Sequence, residues 1–287
     1  MAKLIVCADD YAQSTAIDAA ICDLIVKGLL TATSCMTLSP HWASSAKQLT
    51  TAIRQQADVG LHLDFTQFSH ALRLPHAQLV LRSLLRLLDT QAILHNIRQQ
   101  LDAFELAMGT PPDYVDGHLH VHQLPQIRVA LLAELSHRYA HLPAAQRPWL
   151  RISSPPAGSG FKARLIHCLG ARALQQQAAA CGFASSPVLL GVYDFHGDAT
   201  DYQAHWQQWI AQCQRYADHA IPGLPPVLMC HPAHPAAPAD SDDPIAAARI
   251  VEWQLMQSAA FQSWLVNIDI QPVKGSMQQT ILMKEHM

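Results

Sequence analysis

The chain has 287 residues, half of them hydrophobic and only 14% charged, with a formal net charge of −3. That is enough apolar material for a full α/β core, and the length suits one α/β barrel. The balance excludes a basic nucleic-acid binder, and no run of Lys and Arg points to an anionic membrane.

The N-terminus, Met-Ala-Lys-Leu-Ile-Val-Cys, is too short for a signal segment and reads as a first strand over Leu4–Ala8. Ile17, Ala20, Ile21, Leu24 and Ile25 then fall on one helix face, with Ser14 placed to cap it and Gly28 to end it. A strand near Ser34–Leu38, a helix near Ala43–Arg54 and a strand near Val59–Leu63 follow. From Leu79 to Met108 the pattern is helical, with Leu81, Leu84, Leu85 and Leu88 on one face and a break near Asp89-Thr90. Tyr114–Asp116 reads as a short strand and Pro125–Tyr139 as a helix. Further strands are expected near Leu150–Ile152, Val188–Leu190, Val227–Cys230 and Leu265–Ile270, and helices at Phe161–Cys181, Tyr202–Tyr216 and Ile245–Ser258.

This alternation predicts parallel strands joined by crossover helices. Seven or eight such units suggest a closed (β/α) barrel of mostly parallel strands, a single domain over residues 1–270 with a flexible tail at 271–287. The loops Leu142–Gly160 and Pro232–Pro244, rich in Pro, Ala, Ser or Gly, are expected to be active-site loops. No stretch of 18 apolar residues spans a membrane. The seven cysteines are scattered and form no CxxC pair, which argues against a disulfide framework or zinc knuckle and for a cytoplasmic protein.

Histidine is the compositional outlier, 17 residues against 19 Lys and Arg. Four segments concentrate it, or acid, at predicted strand ends, which share one face in such a barrel. Asp9-Asp10 follows the first strand; one carboxylate can bind a cation while the other stays free, although a turn with helix-capping acids has the same look. His62 lies between Leu61 and Leu63, a place that also suits a satisfied core histidine. In Asp116-Gly117-His118-Leu119-His120-Val121-His122, extended backbone would line the acid and three imidazoles along one face, which is costly unless solvated or metal-bound. Cys230-His231-Pro232 ends an apolar strand on an imidazole. An Asp and two His with open positions suit a catalytic divalent ion. No phosphate loop or nucleophile elbow competes.

At Ala8-Asp9-Asp10-Tyr11-Ala12, Thr33-Ser34, Gly60-Leu61-His62, the Asp116–His122 segment and Cys230-His231-Pro232, with Arg249, Glu252 and Leu255 later, the chain resembles the YdjC/ChbG carbohydrate deacetylases, including their hopanoid-associated HpnK-like branch. The resemblance implies a distorted (β/α) barrel, a metal held by Asp10, His62 and His118, Asp9 as catalytic base and His231 as acid. It implies Mg²⁺, whereas two imidazoles and a carboxylate lean towards Zn²⁺ or another transition metal. It further implies hydrolysis of an N-acetylated amino sugar to acetate and free amine, and a homodimer. Weaker candidates for binding the sugar are Arg151, His120, His122, Trp42, Phe65 and Tyr193, with Phe195, Asp194 and His196 beside the last. Ala12 replaces the family glycine; if the position needs positive φ, alanine is strained there. A metal-dependent phosphoesterase, another amidohydrolase, or a non-catalytic sugar-binding protein would use similar residues.

Overall fold

The computed structural model describes residues 1–156, 166–217, 223–235 and 243–285. Eight strands, β1 (Ala2–Tyr11), β2 (Ala32–Cys35), β3 (Asp58–Leu63), β4 (Tyr114–Gly117), β5 (Trp149–Leu150), β6 (Leu189–Leu190), β7 (Val227–Cys230) and β8 (Ile270–Pro272), form one sheet. Seven run in the order β5-β4-β3-β2-β1-β7-β6, and β8 pairs with the start of β1. Every pairing is parallel. The expected α/β barrel of seven or eight parallel strands is therefore present as a single domain, and it is distorted. Between its outer strands, β5 and β6, the ladder is replaced by separate bonds: Leu150 N to Ala184 O (2.9 Å), Ser186 N to Leu150 O (2.9 Å) and Leu189 N to Ser154 O (2.9 Å).

The strands alternate strictly between two apolar layers. Leu4, Val6 and Ala8 of β1, Val59, Leu61 and Leu63 of β3, and Leu228 and Cys230 of β7 pack outward beneath the helices. Ile5, Cys7, Tyr114, Trp149, Val227 and Met229 fill the interior, where Tyr114 and Trp149 stack at 4.5 Å. Gly60 faces the same interior; a Cβ there would lie 2.5 Å from the Tyr114 ring, which leaves room for hydrogen alone. One step further along each strand, the inward positions become Asp9, Ser34, His62, Asp116, Arg151 and His231. The period of two thus delivers a polar layer to the C-terminal end of the barrel, directly above an apolar plug.

Helices cover the outside: α1 (Thr15–Val26), α2 (Trp42–Ser45), α3 (Thr51–Gln56), α4 (His76–Leu84), α5 (Thr90–Met108), α6 (Pro125–Tyr139), α7 (Ala171–Ala180), α8 (Ala199–Ala217), α9 (Ala246–Gln257), α10 (Ala259–Asn267) and α11 (Gly275–Glu285). Ser14 caps α1 as read from sequence, and Asp89, at the expected break, caps α5. Among the described residues, no helix is long and apolar enough to cross a membrane.

Three expectations fail, and one helix face points outward. The helix expected over 43–54 is three short pieces interrupted at Leu49-Thr50. Half of the strand expected at Leu265–Ile270 is the end of α10, a helix capped by the Ser258 hydroxyl on Phe261 N, and the strand begins only at Ile270. The leucine face of α4 points to solvent: Leu81, Leu84 and Leu85 are exposed, while Leu79 and Ser83 are buried. The expected flexible tail instead holds β8 and α11. Asp58, at the start of β3, accepts Ser276 N (2.8 Å) and Ser276 Oγ (2.5 Å) and so anchors the first turn of α11. The expected helix start at 161–165, and parts of the two expected loops, lie outside the described residues.

Candidate active site

The acid pair sits on a β-bulge. β1 registers Ala8 opposite Thr33 but Tyr11 opposite Cys35, so one residue is extra. Asp10 takes a left-handed conformation, φ 66°. Alternation alone would send Asp10 outward beside Ala8; the bulge turns it inward, next to Asp9. Ala12 is left-handed as well, φ 72°, the conformation that its replacement of glycine put in question. The turn is held by Asp18, which accepts Ala12 N (2.6 Å) and the Ser45 hydroxyl.

The third segment departs from expectation. β4 ends at Gly117, and residues 118–123 coil into 3-10 turns with Leu119 and His120 left-handed. The extended stripe of three histidines does not form, and the imidazoles part company. His118 Nδ1 lies 2.9 Å from Asp10 Oδ1. His120 Nδ1 pairs with Ser153 Oγ (2.9 Å) at the cavity edge. His122 is fully buried, with Nε2 on Arg151 O (2.8 Å), and holds the β4–β5 connection.

Asp10, His62 and His118 converge: one ligand atom from each lies within 4.8 Å of the others. His62 Nε2 is 3.3 Å from Asp10 Oδ1. The neighbours aim these donors. Asp116, register partner of His62 across β3 and β4, meets His62 Nδ1 at 2.6 Å and leaves Nε2 for the cavity. Arg249 Nη2 takes Asp10 Oδ2 at 2.7 Å and leaves Oδ1.

Asp9 stands apart from this trio. Arg151 grips it through both oxygens, Nη1 to Oδ1 at 2.5 Å and Nη2 to Oδ2 at 2.7 Å. Arg151 also reaches Asp116 Oδ2 at 2.9 Å. It is fully buried and does not line the cavity, so its contacts are with Asp9 and Asp116. The cluster of Cys7, Asp9 and Asp116 is closed by the same guanidinium, 3.2 Å from Cys7 Sγ. His231 Nε2 lies 3.8 Å from Asp9 Oδ2, on the far side from His62 at 4.0 Å.

The carboxylates at this site outnumber the guanidiniums. Asp9, Asp10 and Asp116 face two guanidiniums, Arg151 and Arg249. Burial alone would lower the pKa of His62, yet Asp116, Asp9 and Asp10 raise it to about 10, so the imidazole takes a proton as the third positive charge. Burial opposes ionisation of Asp9 and Asp10, but Arg151 and His62 hold the first, and Arg249 and His118 the second, well below the usual carboxylate range. Two imidazole nitrogens and one carboxylate oxygen, aimed at one point in an electron-rich pocket, fit a divalent cation in place of that proton. His231 contrasts with His62: burial lowers it to about 4 despite Asp9 and Asp10. It is neutral at pH 7, where an imidazolium was expected.

Above these groups opens a cavity of about 610 Å³, lined at its base by Asp9, Asp10, His62, His118 and His231 and on its walls by Tyr193, Phe195 and Arg249 among others. Trp42 and Phe65 are not part of it. Trp42 stacks on Phe104 at 5.9 Å and donates to Ala103 O, and Phe65 is wholly buried; both are core. Asp194 and His196 are solvent-exposed beside Phe195. Glu252 is the residue that sequence reasoning left without a role. Fully buried, it accepts His231 N (2.5 Å) and Tyr193 Oη (2.7 Å), and burial raises its pKa to about 7 against those bonds. Arg249 and Glu252 are three apart on the buried face of α9 with Ala248, Leu255 and Met256. A charged pair inside a helix's apolar face is the signal that marks them.

A family model described as YdjC-like protein matches residues 3–267. No curated protein matches the chain. Among solved structures, a protein of Enterococcus faecalis provisionally assigned to cellobiose-phosphate cleavage is similar at 17% identity and TM-score 0.67, over 96% of this chain and 98% of its own. Weaker likenesses are a family 4 acetyl xylan esterase from Clostridium thermocellum in complex with cobalt (9% identity, TM-score 0.46, 97% and 91% covered) and the peptidoglycan deacetylase PdaC from Bacillus subtilis (13%, 0.41, 99% and 93%). At these identities the first shows a shared fold.

Proposed function

This chain belongs to the YdjC-like protein family, and we propose that it is a metal-dependent hydrolase that removes the N-acetyl group of an amino sugar. The observation that carries the reading is the division of labour between adjacent carboxylates. Asp10 joins His62 and His118 in a convergent donor set, while Asp9 lies beside it in the grip of Arg151.

Asp10, His62 and His118 would hold the cation, with Asp116 and Arg249 fixing two of them. Bound there, a divalent ion supplies Lewis acidity towards the acetamide carbonyl and water. Two imidazoles with one carboxylate favour Zn²⁺ or another transition metal, and the family resemblance favours Mg²⁺. Asp9 stays ionised, accepts a hydrogen bond from the attacking water and takes its proton as the C–O bond forms. His231 enters neutral, so it acts as acid only after gaining a proton. Asp9 Oδ2, 3.8 Å from His231 Nε2, is the nearest source. Transfer to the departing nitrogen completes cleavage of the C–N bond and leaves acetate and a free amine. Glu252 fixes the His231 backbone and Tyr193 together, so acid and wall move as one unit. Tyr193 and Phe195, 4.7 Å apart, offer rings against a sugar face.

The test is release of acetate by metal-reconstituted enzyme from N-acetylglucosamine oligomers and N-acetylated glycolipids, with phosphate release from phosphoesters measured in parallel. Acetate release that requires metal supports the reading. Phosphate release without acetate release would replace it by the phosphoesterase alternative. Binding of acetylated sugar with no turnover would leave a sugar-binding protein.

A further inference from the structure

Helix α4 is turned inside out. Its nine residues and the C-cap Leu85 place Leu81, Leu84 and Leu85 on one 100° arc, the width of an ordinary core-facing stripe. Those leucines are 58%, 52% and 58% exposed, and Leu87 just beyond is 67% exposed, while Ser83 on the opposite side is fully buried. Single exposed leucines are unremarkable, but four within seven residues make a contiguous apolar patch. The polar residues among them are of one sign. Arg82 and Arg86 are exposed in the same segment, Arg73 precedes it, and Arg128 of α6 is near enough to Arg86 for that charge to lower its pKa after burial does. Between Asp64 and Asp89 the chain has no acidic residue. Because the arginines alternate with leucines and do not form a run, composition conceals the patch.

We propose that this face docks the protein on an anionic lipid surface, the four leucines entering the acyl boundary and the arginines meeting lipid phosphates. A second copy of the chain is the other occupant to weigh. A two-fold interface sets the same patch against itself, which would bring Arg82 and Arg86 of one copy against those of the other. The charge pattern disfavours that pairing and favours a negatively charged partner. The placement also has a use. His76, the first residue of α4, lines the catalytic cavity, and Leu119, 44% exposed, lines it too. A protein seated on α4 holds the cavity beside the interface, within reach of a headgroup sugar. The docking does not depend on which reaction the site performs.

The experiment is flotation of the full-length protein with vesicles of phosphatidylcholine alone and of phosphatidylcholine with roughly one third phosphatidylglycerol, at low and raised salt. Binding is expected on the anionic vesicles and should weaken with salt. The triple variant Leu81→Gln, Leu84→Gln, Leu85→Gln should bind at least about tenfold more weakly. Each of Arg82→Gln and Arg86→Gln should cost about fivefold. Val266→Gln, a still more exposed apolar site on α10, should change nothing. Since the altered leucines are exposed, the triple variant should keep the parent melting temperature, which separates lost docking from lost folding. No binding to anionic vesicles, or binding unaltered in the triple variant, overturns the proposal. A dimer in sedimentation that the triple variant converts to monomer, without vesicle binding, overturns it in favour of self-association.

Discussion

Arg151 holds Asp9 by a two-pronged bond, Nη1 to Oδ1 at 2.5 Å and Nη2 to Oδ2 at 2.7 Å, with the guanidinium fully buried beneath the cavity and the carboxylate at its base. Such a fork fixes the carboxylate plane and keeps Asp9 ionised. It also weakens Asp9 as a base, which matches a group that takes a proton briefly and passes it to His231.

Asp9→Asn should therefore keep the donor trio and bound metal, yet lower kcat roughly 10²–10⁴-fold, the usual contribution of a general base. Near-parental turnover with full metal content would remove Asp9 from the chemistry. Arg151→Met should do something different, because it strands both Asp9 and Asp116. A loss of about 3–5 kcal/mol in urea unfolding at pH 7 is expected. The sign with pH follows from the depressed folded-state pKa of Asp9. Its stabilisation is present above the unfolded carboxylate value and is lost as pH falls through the lower folded value. The gap between parent and variant should thus narrow in acid, and a constant gap down to strong acid would contradict the assignment.

The second prediction concerns the proton on His62. With a folded pKa near 10, metal-free His62 is charged at pH 7 and must lose its proton when Nε2 becomes a ligand. Metal binding at pH 7–8 should release about one proton, and apparent affinity should rise about tenfold per pH unit up to that value. Calorimetry in two buffers of different ionisation enthalpy reads this directly, and equal heats in both would refute it. In the metal-free protein the linkage runs the same way: the stabilisation from charged His62 is full below the unfolded histidine pKa and lost as pH rises towards 10. Asp116→Asn should lower metal affinity about 10–100-fold by releasing Nδ1 of His62.

These residues were legible to different degrees, for physical reasons. His62, Asp116 and His231 stand at inward positions of regular strands, so a period of two and a strand end suffice to place them. Asp10 is inward only because of the bulge, and no periodicity contains a bulge. The His118–His122 stripe was misread because Gly117 ends β4, after which left-handed Leu119 and His120 separate the rings. Trp42 and Phe65 were indistinguishable by type from Tyr193 and Phe195; only packing separates two core rings from two wall rings. The leucines of α4 were placed correctly on one face, but which face meets the core depends on neighbours far away in sequence. The same distance hid Glu252, whose partners His231 and Tyr193 come from separate strand ends.

Ala12 provides a third test. At φ 72° an L-residue is strained by about 1–2 kcal/mol, which glycine would relieve. Against that stand a lost buried methyl group, about 0.8 kcal/mol, and the greater chain entropy of unfolded glycine. Ala12→Gly should therefore leave stability within about 1 kcal/mol of the parent. Ala20→Gly, equally buried but inside α1, has no strain to relieve and should cost the methyl group and about 1 kcal/mol of helix propensity besides. Equal losses at both positions in urea titrations would show that the left-handed turn is not strained.

The C-terminal segment, expected to be a flexible tail, gives the last prediction. α11 covers the base of the barrel, where Gly275 sits so close to Trp149 that a Cβ would lie 2.6 Å from the indole. Trp149 is fully buried, stacked on Tyr114, and gives its Nε1–H to Asp58 Oδ2 at 3.3 Å. The same Asp58 carries Ser276 N and Oγ and stands 3.6 Å from Lys274 Nζ. Truncation after Val273 would uncover the indole and leave a buried carboxylate without its cap and cation. Each stranded charge or unpaired polar group costs about 1–3 kcal/mol or more, so the loss should reach several kcal/mol in urea unfolding. Intrinsic fluorescence should shift red as the Trp149 environment becomes wet. Parental stability in the truncated chain would restore the flexible tail and deny Asp58 its anchoring role.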